Sequence, residues 1–333
     1  MAARTAKGKA TMGADVSVLI VSYNTGALLV RCLESLATSA AGVATEVIVV
    51  DNASTDDSVA SVKGGFPDVQ VVEAGVNQGF ARAVNAAAAR ATGEYLLLLN
   101  PDTVVFDGAV HNLLAFARAN PAYGVYGGRT ERADGTLEPS SCWGQPTLWS
   151  HVCFGLGLTT AFRRSRLFDP ESLGTWRRDT VRTVGVVTGC LLMLRRETFE
   201  QLGGFDARYF MYGEDVDLCM RARGQGWDPV ITPDATVVHH VGAASSNWAN
   251  KFVLVLTGKV TLATTHWTGW RRRLCLSMID LGVALRAVLD VLSKAVRPGR
   301  PRRSDWPALW RRRGEWRSGY PAVDAAGLAP ERP

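Results

Sequence analysis

Glu214, Asp215 and Asp217 fall within four positions of "FMYGEDVDLC" (210–219), among the aromatic residues Tyr209, Phe210 and Tyr212. Carboxylates at a helix start often do no more than complement exposed backbone N–H groups and the helix dipole. Facing a cleft, one of them could instead take the proton of an attacking hydroxyl. Asp102, in "NPDTVV" (100–105), follows the apolar run "YLLLL" and a turn fixed by Pro101. A hard oxygen ligand there suits Mg2+ or Mn2+ holding a diphosphate. One carboxylate is a thin metal site, and His239 or His240 could complete it, although a strand histidine is more often structural. Asp51, at the end of "EVIVVD", can accept hydrogen bonds from a base or ribose, while "DNAST" is also good turn chemistry.

These residues need a frame. "VSVLIVSY" (16–23), "EVIVVD" (46–51), "VQVVEAG" (69–75) and "EYLLLLNPD" (94–102) are apolar runs of strand length. Helical patterns separate them: Leu29, Cys32, Leu33 and Leu36 share one face, and the Ala-rich "NQGFARAVNAAAARAT" precedes the fourth run. A further helix is predicted after Asp51, capped by Ser54 or Thr55, with Asp56 and Asp57 in its first turn. Apolar strands alternating with helices imply an α/β fold, a mostly parallel sheet covered on both faces. Ligands of such sheets bind beyond the strands' carboxyl ends, here residues 22–24, 51–52 and 100–102. Residues 125–182 show no period and read as loops with short strands. Strand character returns at 182–196 and 229–240, flanking a short helix at 197–206 and one running through Arg223.

Several classes are excluded. No G-x-G-x-x-G follows the first strand, and neither a P-loop nor a G-x-S-x-G elbow occurs. Six cysteines without a CxxC pair read as reduced and cytosolic. Residues 1–14 lack the apolar core of a signal peptide and read as a disordered lead-in. The net charge of +6 is concentrated in residues 267–333, which hold 14 Lys/Arg against 6 Asp/Glu and five of the ten tryptophans. Leu274, Met278, Leu281, Leu285, Leu289, Leu292 and Val296 recur there at helical spacing between Arg271–Arg273 and Arg300, Arg302 and Arg303. This amphipathic extension suits an anionic membrane surface, or packing on its own domain or on a partner, as in a homodimer. No nucleic-acid motif accompanies the charge.

Six segments in order, "VLIVSYNTGALLVRCLESL", "EVIVVDNASTDDS", "NQGFARAVNAA", "LLLLNPDTVV", "TGCLLMLRRETFEQLGGFDARYFMYGEDVDLCMRARGQGW" and "TVVHH", together resemble glycosyltransferase family 2 over residues 16–245. The resemblance implies an inverting enzyme of GT-A fold using a nucleotide-sugar donor. Val21, Ser22 and Asn24 would line the nucleoside pocket. Asp51 would bind the base with Asn52 and Asp56 nearby, and Gly79, Phe80 and Asn85 would pack beside the nucleotide. "NPD" stands where the family often has D-x-D, so Asp102 would be the metal carboxylate and Asn100 replaces the first acid. His239 would be a second metal ligand, with His240 as the fallback. Asp215 would be the general base and Glu214 a positioning or acceptor-contacting group. Asp217 reads as structural. The branch resembled is that of bacterial rhamnosyltransferases, implying dTDP-rhamnose as donor and a polyprenyl-diphosphate-linked glycan as acceptor. A UDP-hexose or GDP-mannose donor, or a non-catalytic nucleotide-sugar-binding protein, are the alternatives. The expected organisation is a lead-in (1–14), a GT-A domain (15–266) and a basic extension (267–333). The expected location is the cytoplasmic face of the plasma membrane.

Overall fold

The computed structural model describes residues 13–240, 248–296 and 304–322. Nearly all of the expected lead-in lies outside them, as do Arg300, Arg302 and Arg303. Strands β1 (Val16–Ser22), β2 (Thr45–Asp51), β3 (Gln70–Glu73) and β4 (Tyr95–Leu99) are joined by helices α1 (Gly26–Ser39), α2 (Ser58–Gly65) and α3 (Phe80–Ala88). They pair in the order β3-β2-β1-β4, all parallel. Both faces of this half are covered. Leu19 and Val21 pack into one core cluster while Val16, Val18 and Ile20 pack into the other. That is the period-two alternation of a strand buried on two sides.

The second half of the sheet is mixed. β5 (Thr103–Val105), α4 (Ala109–Ala119) and β6 (Val125–Glu131) lead to β7 (Cys142–Trp143), α5 (Leu148–Gly155) and α6 (Leu158–Ala161). The helices α5 and α6 occupy part of the stretch expected to be irregular. The strand expected at 182–196 is broken into β8 (Arg182–Thr183), β9 (Val186–Val187) and β10 (Leu191–Arg195). β10 runs antiparallel to β4 and extends the sheet in the order β10-β6-β11-β5. After α7 (Arg196–Gln201) and α8 (Glu214–Gly224), β11 (Pro229–His239) lies parallel to β6 and antiparallel to β5.

Helix α2 begins later than expected, with Asp57 at its N-cap. Ser54 and Thr55 are held elsewhere. Ser54 Oγ accepts the Asn24 N–H at 2.9 Å, and the Thr55 N–H donates to Asn24 Oδ1 at 2.7 Å.

The C-terminal helices are α9 (Trp248–His266), α10 (Gly269–Val296), α11 (Trp306–Arg311) and α12 (Arg313–Trp316). Val253, Leu256 and Val260 share a buried cluster with Cys275, Ile279, Val283, Leu309 and Trp316. The expected domain boundary at 266/267 thus falls between two helices of one core. The leucine stripe read from the sequence is divided: Leu274, Met278 and Leu285 are half-buried, with Met278 against Gly155 and Leu285 against Gly157. Cys275, Ile279, Gly282 and Val283 point inward, whereas Leu281, Leu289, Leu292 and Val296 are exposed. Gly282 lets α10 approach Phe154 of α5, where a Cβ would collide with the ring. Of the five tail tryptophans, Trp270 alone is counted as exposed, and Trp306, Trp310 and Trp316 join the cluster.

Candidate active site

A cavity of about 660 Å³ opens along the carboxyl ends of β1 and β4 and is closed on the far side by α8 and α9. One wall is lined by Val21, Tyr23, Asn52 and Phe80. Asp51 and Ser22 lie just behind this wall. Asp51 is buried, accepts the Ser54 N–H at 3.0 Å through Oδ2, and leaves Oδ1 without a partner. An orphaned carboxylate oxygen at a strand end is a ready acceptor for a base or sugar N–H or O–H. Ser22 pairs with Thr25 at 2.9 Å. Asn24 and Asp56 do not line the cavity and instead brace the neighbouring loops. Asn24 holds Thr55 from a left-handed backbone, and Asp56 accepts the Gly26 N–H at 3.0 Å at the start of α1.

Gly79 joins two of the motifs. Its φ is +82°, and a Cβ would strike the Phe210 carbonyl, which accepts the Phe80 N–H at 2.6 Å. The Phe80 ring then faces Gly189. Asn52 donates to the Gly79 carbonyl at 3.1 Å. Asn85 is placed apart from the cavity. It donates to the Phe205 carbonyl at 2.8 Å and accepts the Phe205 N–H at 2.9 Å, so it clasps the "GGFD" turn.

Asn100, Pro101 and Asp102 cross the cavity floor, with Asp102 8% exposed. β11 pairs with β5 so that His239 lies opposite Thr103, and its Nε2 comes to 3.3 Å from Asp102 Oδ1. His239 Nδ1 lies 3.1 Å from Ser140 Oγ, an arrangement that leaves Nε2 directed to the cavity. His240 uses only its backbone here, donating to the Asp102 carbonyl. No cluster of three or more His, Cys, Asp or Glu side chains able to hold a metal occurs among the described residues. Asp102 and His239 do fit a divalent ion completed by oxygens from a bound diphosphate. A carboxylate with an imidazole favours a nitrogen-tolerant ion such as Mn2+ over Mg2+.

Across the cavity, Gly213 (φ +106°) turns the chain into α8 and sets Glu214 and Asp215 on the first turn. Asp215 Oδ1 accepts the Val216 N–H at 2.8 Å. The helix-start position would lower its pKa, yet burial outweighs the Val216 and Gly189 N–H groups and raises it above the usual aspartate range. Burial also raises Glu214, and the Asp215 charge adds to the effect. Glu214 Oε2 is buried without a partner, which suits a neutral carboxyl beside an ionised Asp215. Asp217 faces away from the cavity. It is 1% exposed and pairs with Arg221 at 2.8 Å and His266 at 2.8 Å.

The sequence reading did not foresee Lys251 and Lys259 of α9, which line the same cavity. Lys259 pairs with Glu171 at 3.3 Å. Thr188, Gly189 and Cys190, at the break between β9 and β10, line it too. The Gly-Cys interruption of an otherwise apolar strand was the one available signal for them.

The "Glycosyl transferase family 2" family matches residues 17–203, and the "N-terminal domain of galactosyltransferase" family matches 183–240. An N-acetylglucosaminyl-diphospho-decaprenol L-rhamnosyltransferase of Mycobacterium tuberculosis is 33% identical over 308 residues, covering 85% of this chain and 95% of that protein. Among solved structures, a Pyrobaculum calidifontis mannosyltransferase in complex with GDP-Man and Mn2+ superposes with TM-score 0.55 at 21% identity, covering 90% of this chain and 78% of that one. S. aureus TarS 1-349 in complex with UDP-GlcNAc gives 0.51 at 16% identity, covering 85% and 76%. Both share the fold. The chain belongs to glycosyltransferase family 2 and is a glycosyltransferase of GT-A fold.

Proposed function

We propose that this enzyme transfers L-rhamnose from dTDP-rhamnose, with inversion, to a polyprenyl-diphosphate-linked glycan at the cytoplasmic face of the membrane. The observation that carries the chemistry is that Asp215 and the Asp102–His239 pair line one cavity from opposite walls. The donor and acceptor are supported by the M. tuberculosis relative, whose length this chain nearly spans. The acceptor hydroxyl attacks the anomeric carbon as the bond from that carbon to the diphosphate oxygen breaks. Its proton passes to Asp215, and the bonding electrons leave with the nucleoside diphosphate. Glu214, buried and favoured in its neutral form, lines the cavity beside Asp215 as a positioning or acceptor-contacting group. Asp102 and His239 would hold a divalent ion, which when bound neutralises charge on the departing diphosphate. Asp51 and Asn52 orient the nucleoside.

Membrane contact is supported by the exposed leucine stripe of α10 with Trp270 and Arg271–Arg273 at one end. No helix among the described residues is long and apolar enough to cross a membrane. A panel of dTDP-rhamnose, UDP-hexoses and GDP-mannose, assayed with a prenyl-diphosphate acceptor, tests the reading. Transfer from dTDP-rhamnose is expected; transfer from another donor alone would overturn the donor assignment.

A further inference from the structure

Beside the donor cavity lies a second recess of about 590 Å³, and Trp143 and Glu171 border both. Its wall carries Arg132, Arg163, Arg164, Arg177 and Arg178 against the carboxylates Asp169 and Glu171. Both acids are already engaged, Glu171 by Lys259 and Asp169 by the Arg164 N–H at 2.9 Å. Arg132 is paired with Glu138, whereas the guanidinium groups of Arg163, Arg164 and Arg177 have no ion-pair partner among the described residues. Arg178 is 2% exposed and donates to the Trp176 carbonyl at 2.8 Å and the Ser172 carbonyl at 3.3 Å. Its Nε is buried without a partner. A buried guanidinium with a free donor, backed by exposed ones, calls for an anion with several oxygens. The donor's own diphosphate is accounted for at Asp102 and His239, on the other side of Trp143.

We propose that this arginine recess binds the diphosphate of the acceptor, so that the acceptor sugar crosses Trp143 toward Asp215. The assignment rests on the lipid-linked acceptor reading above. The recess lies outside the site residues named there and sets which acceptors the enzyme takes.

The test uses the full-length protein with Arg163, Arg164 and Arg177 all changed to Ala, positions exposed enough for the fold to survive. Two water-soluble acceptors carry the same sugar, one through a diphosphate to a short prenyl chain and one through an uncharged ether. The triple variant should raise KM for the diphosphate acceptor at least tenfold and leave KM for the neutral acceptor and for donor unchanged. Equal KM changes for both acceptors, or none, would overturn the proposal. Calorimetry with the same prenyl diphosphate, in EDTA and saturating nucleoside diphosphate, reads the recess without turnover. Binding should weaken at least tenfold in the variant, and unchanged binding overturns the proposal. If inorganic pyrophosphate binds as tightly as the prenyl diphosphate and acceptor KM values do not differ, the recess serves free phosphate and the acceptor assignment fails. Absence of transfer to either acceptor, with variant-sensitive prenyl diphosphate binding, would sink the proposed reaction and leave the recess standing.

Discussion

Asp217 Oδ1 sits 2.8 Å from His266 Nε2, tying the first turn of α8 to the last turn of α9. Two residues earlier on the same helix, Asp215 faces the cavity. One turn of helix therefore carries one carboxylate that anchors and one that is free to take a proton. Asp217→Asn should lower stability by about 1–3 kcal/mol, since it turns one of the two buried oxygens that hold Arg221 and His266 into a donor and removes the charge. Its kcat should fall less than tenfold. Asp215→Asn should do the reverse, cutting kcat about 100-fold or more with stability kept. Urea denaturation and initial rates on the two variants separate the roles.

With Asp215 as the proposed base, its raised pKa should set the acid limb of turnover. Activity should fall at a pH well above about 3.9, where an ordinary aspartate titrates. Burial and the Asp215 charge both push Glu214 upward, which favours its neutral form, so Glu214→Gln should leave that limb in place. A kcat–pH profile of both proteins checks it; a limb moved by a full unit in the variant would refute the order of titration. The folded pKa of Glu214 lies above its unfolded value, so its stabilising share is present at low pH and is lost as pH rises. Glu214→Gln should therefore be neutral or stabilising near pH 8, as thermal melts at pH 5 and pH 8 would show.

His239 is oriented by Ser140 through its other ring nitrogen. Ser140→Ala should weaken Mn2+ binding by about tenfold, and Asp102→Ala should abolish it. Electron paramagnetic resonance of added Mn2+ measures both. Unchanged affinity in Asp102→Ala would place the ion elsewhere.

Replacing Gly79 by Ala imposes a Cβ on a φ of +82° and drives it into the Phe210 carbonyl. The expected cost is about 1–3 kcal/mol of stability, with loss of nucleotide binding as the 77–80 turn separates from the 210–213 loop. Thermal melts and nucleotide titrations read both.

The exposed face of α10 can be tested without disturbing its packed face. Leu289→Glu with Leu292→Glu should reduce flotation with anionic liposomes several-fold and leave the melting temperature unchanged. Deleting the whole extension is a poor test, because Cys275, Ile279 and Trp316 fill a core shared with α9.

What was readable in the sequence follows from periodicity. Residues 18–21, 47–50 and 95–99 are unbroken apolar runs, so their strand character and the carboxyl-end location of Asp51 and Asp102 followed directly. The leucine stripe of α10 was read as one surface, whereas its first half packs at its edge and its second half is exposed. Spacing alone cannot tell which stripe meets a partner, and the small residues Cys275 and Gly282 that permit close approach carry little hydrophobic signal. Lys251 and Lys259 were illegible for a different reason. They reach the cavity only because α9 folds back across the 211–213 loop, a long-range placement with no local pattern. Asn85 shows the opposite case, a motif residue whose side chain is consumed by the Phe205 backbone.

Tyr320, near the end of the described chain, donates its hydroxyl to the Met211 carbonyl at 2.5 Å and accepts the Met211 N–H at 3.3 Å, while its own N–H meets Thr261 at 2.7 Å. The last described segment thus latches the loop that precedes Asp215. An event in this segment, such as a cut ahead of Tyr320 or a protein grasping residues 318–322, would be felt four residues from Asp215.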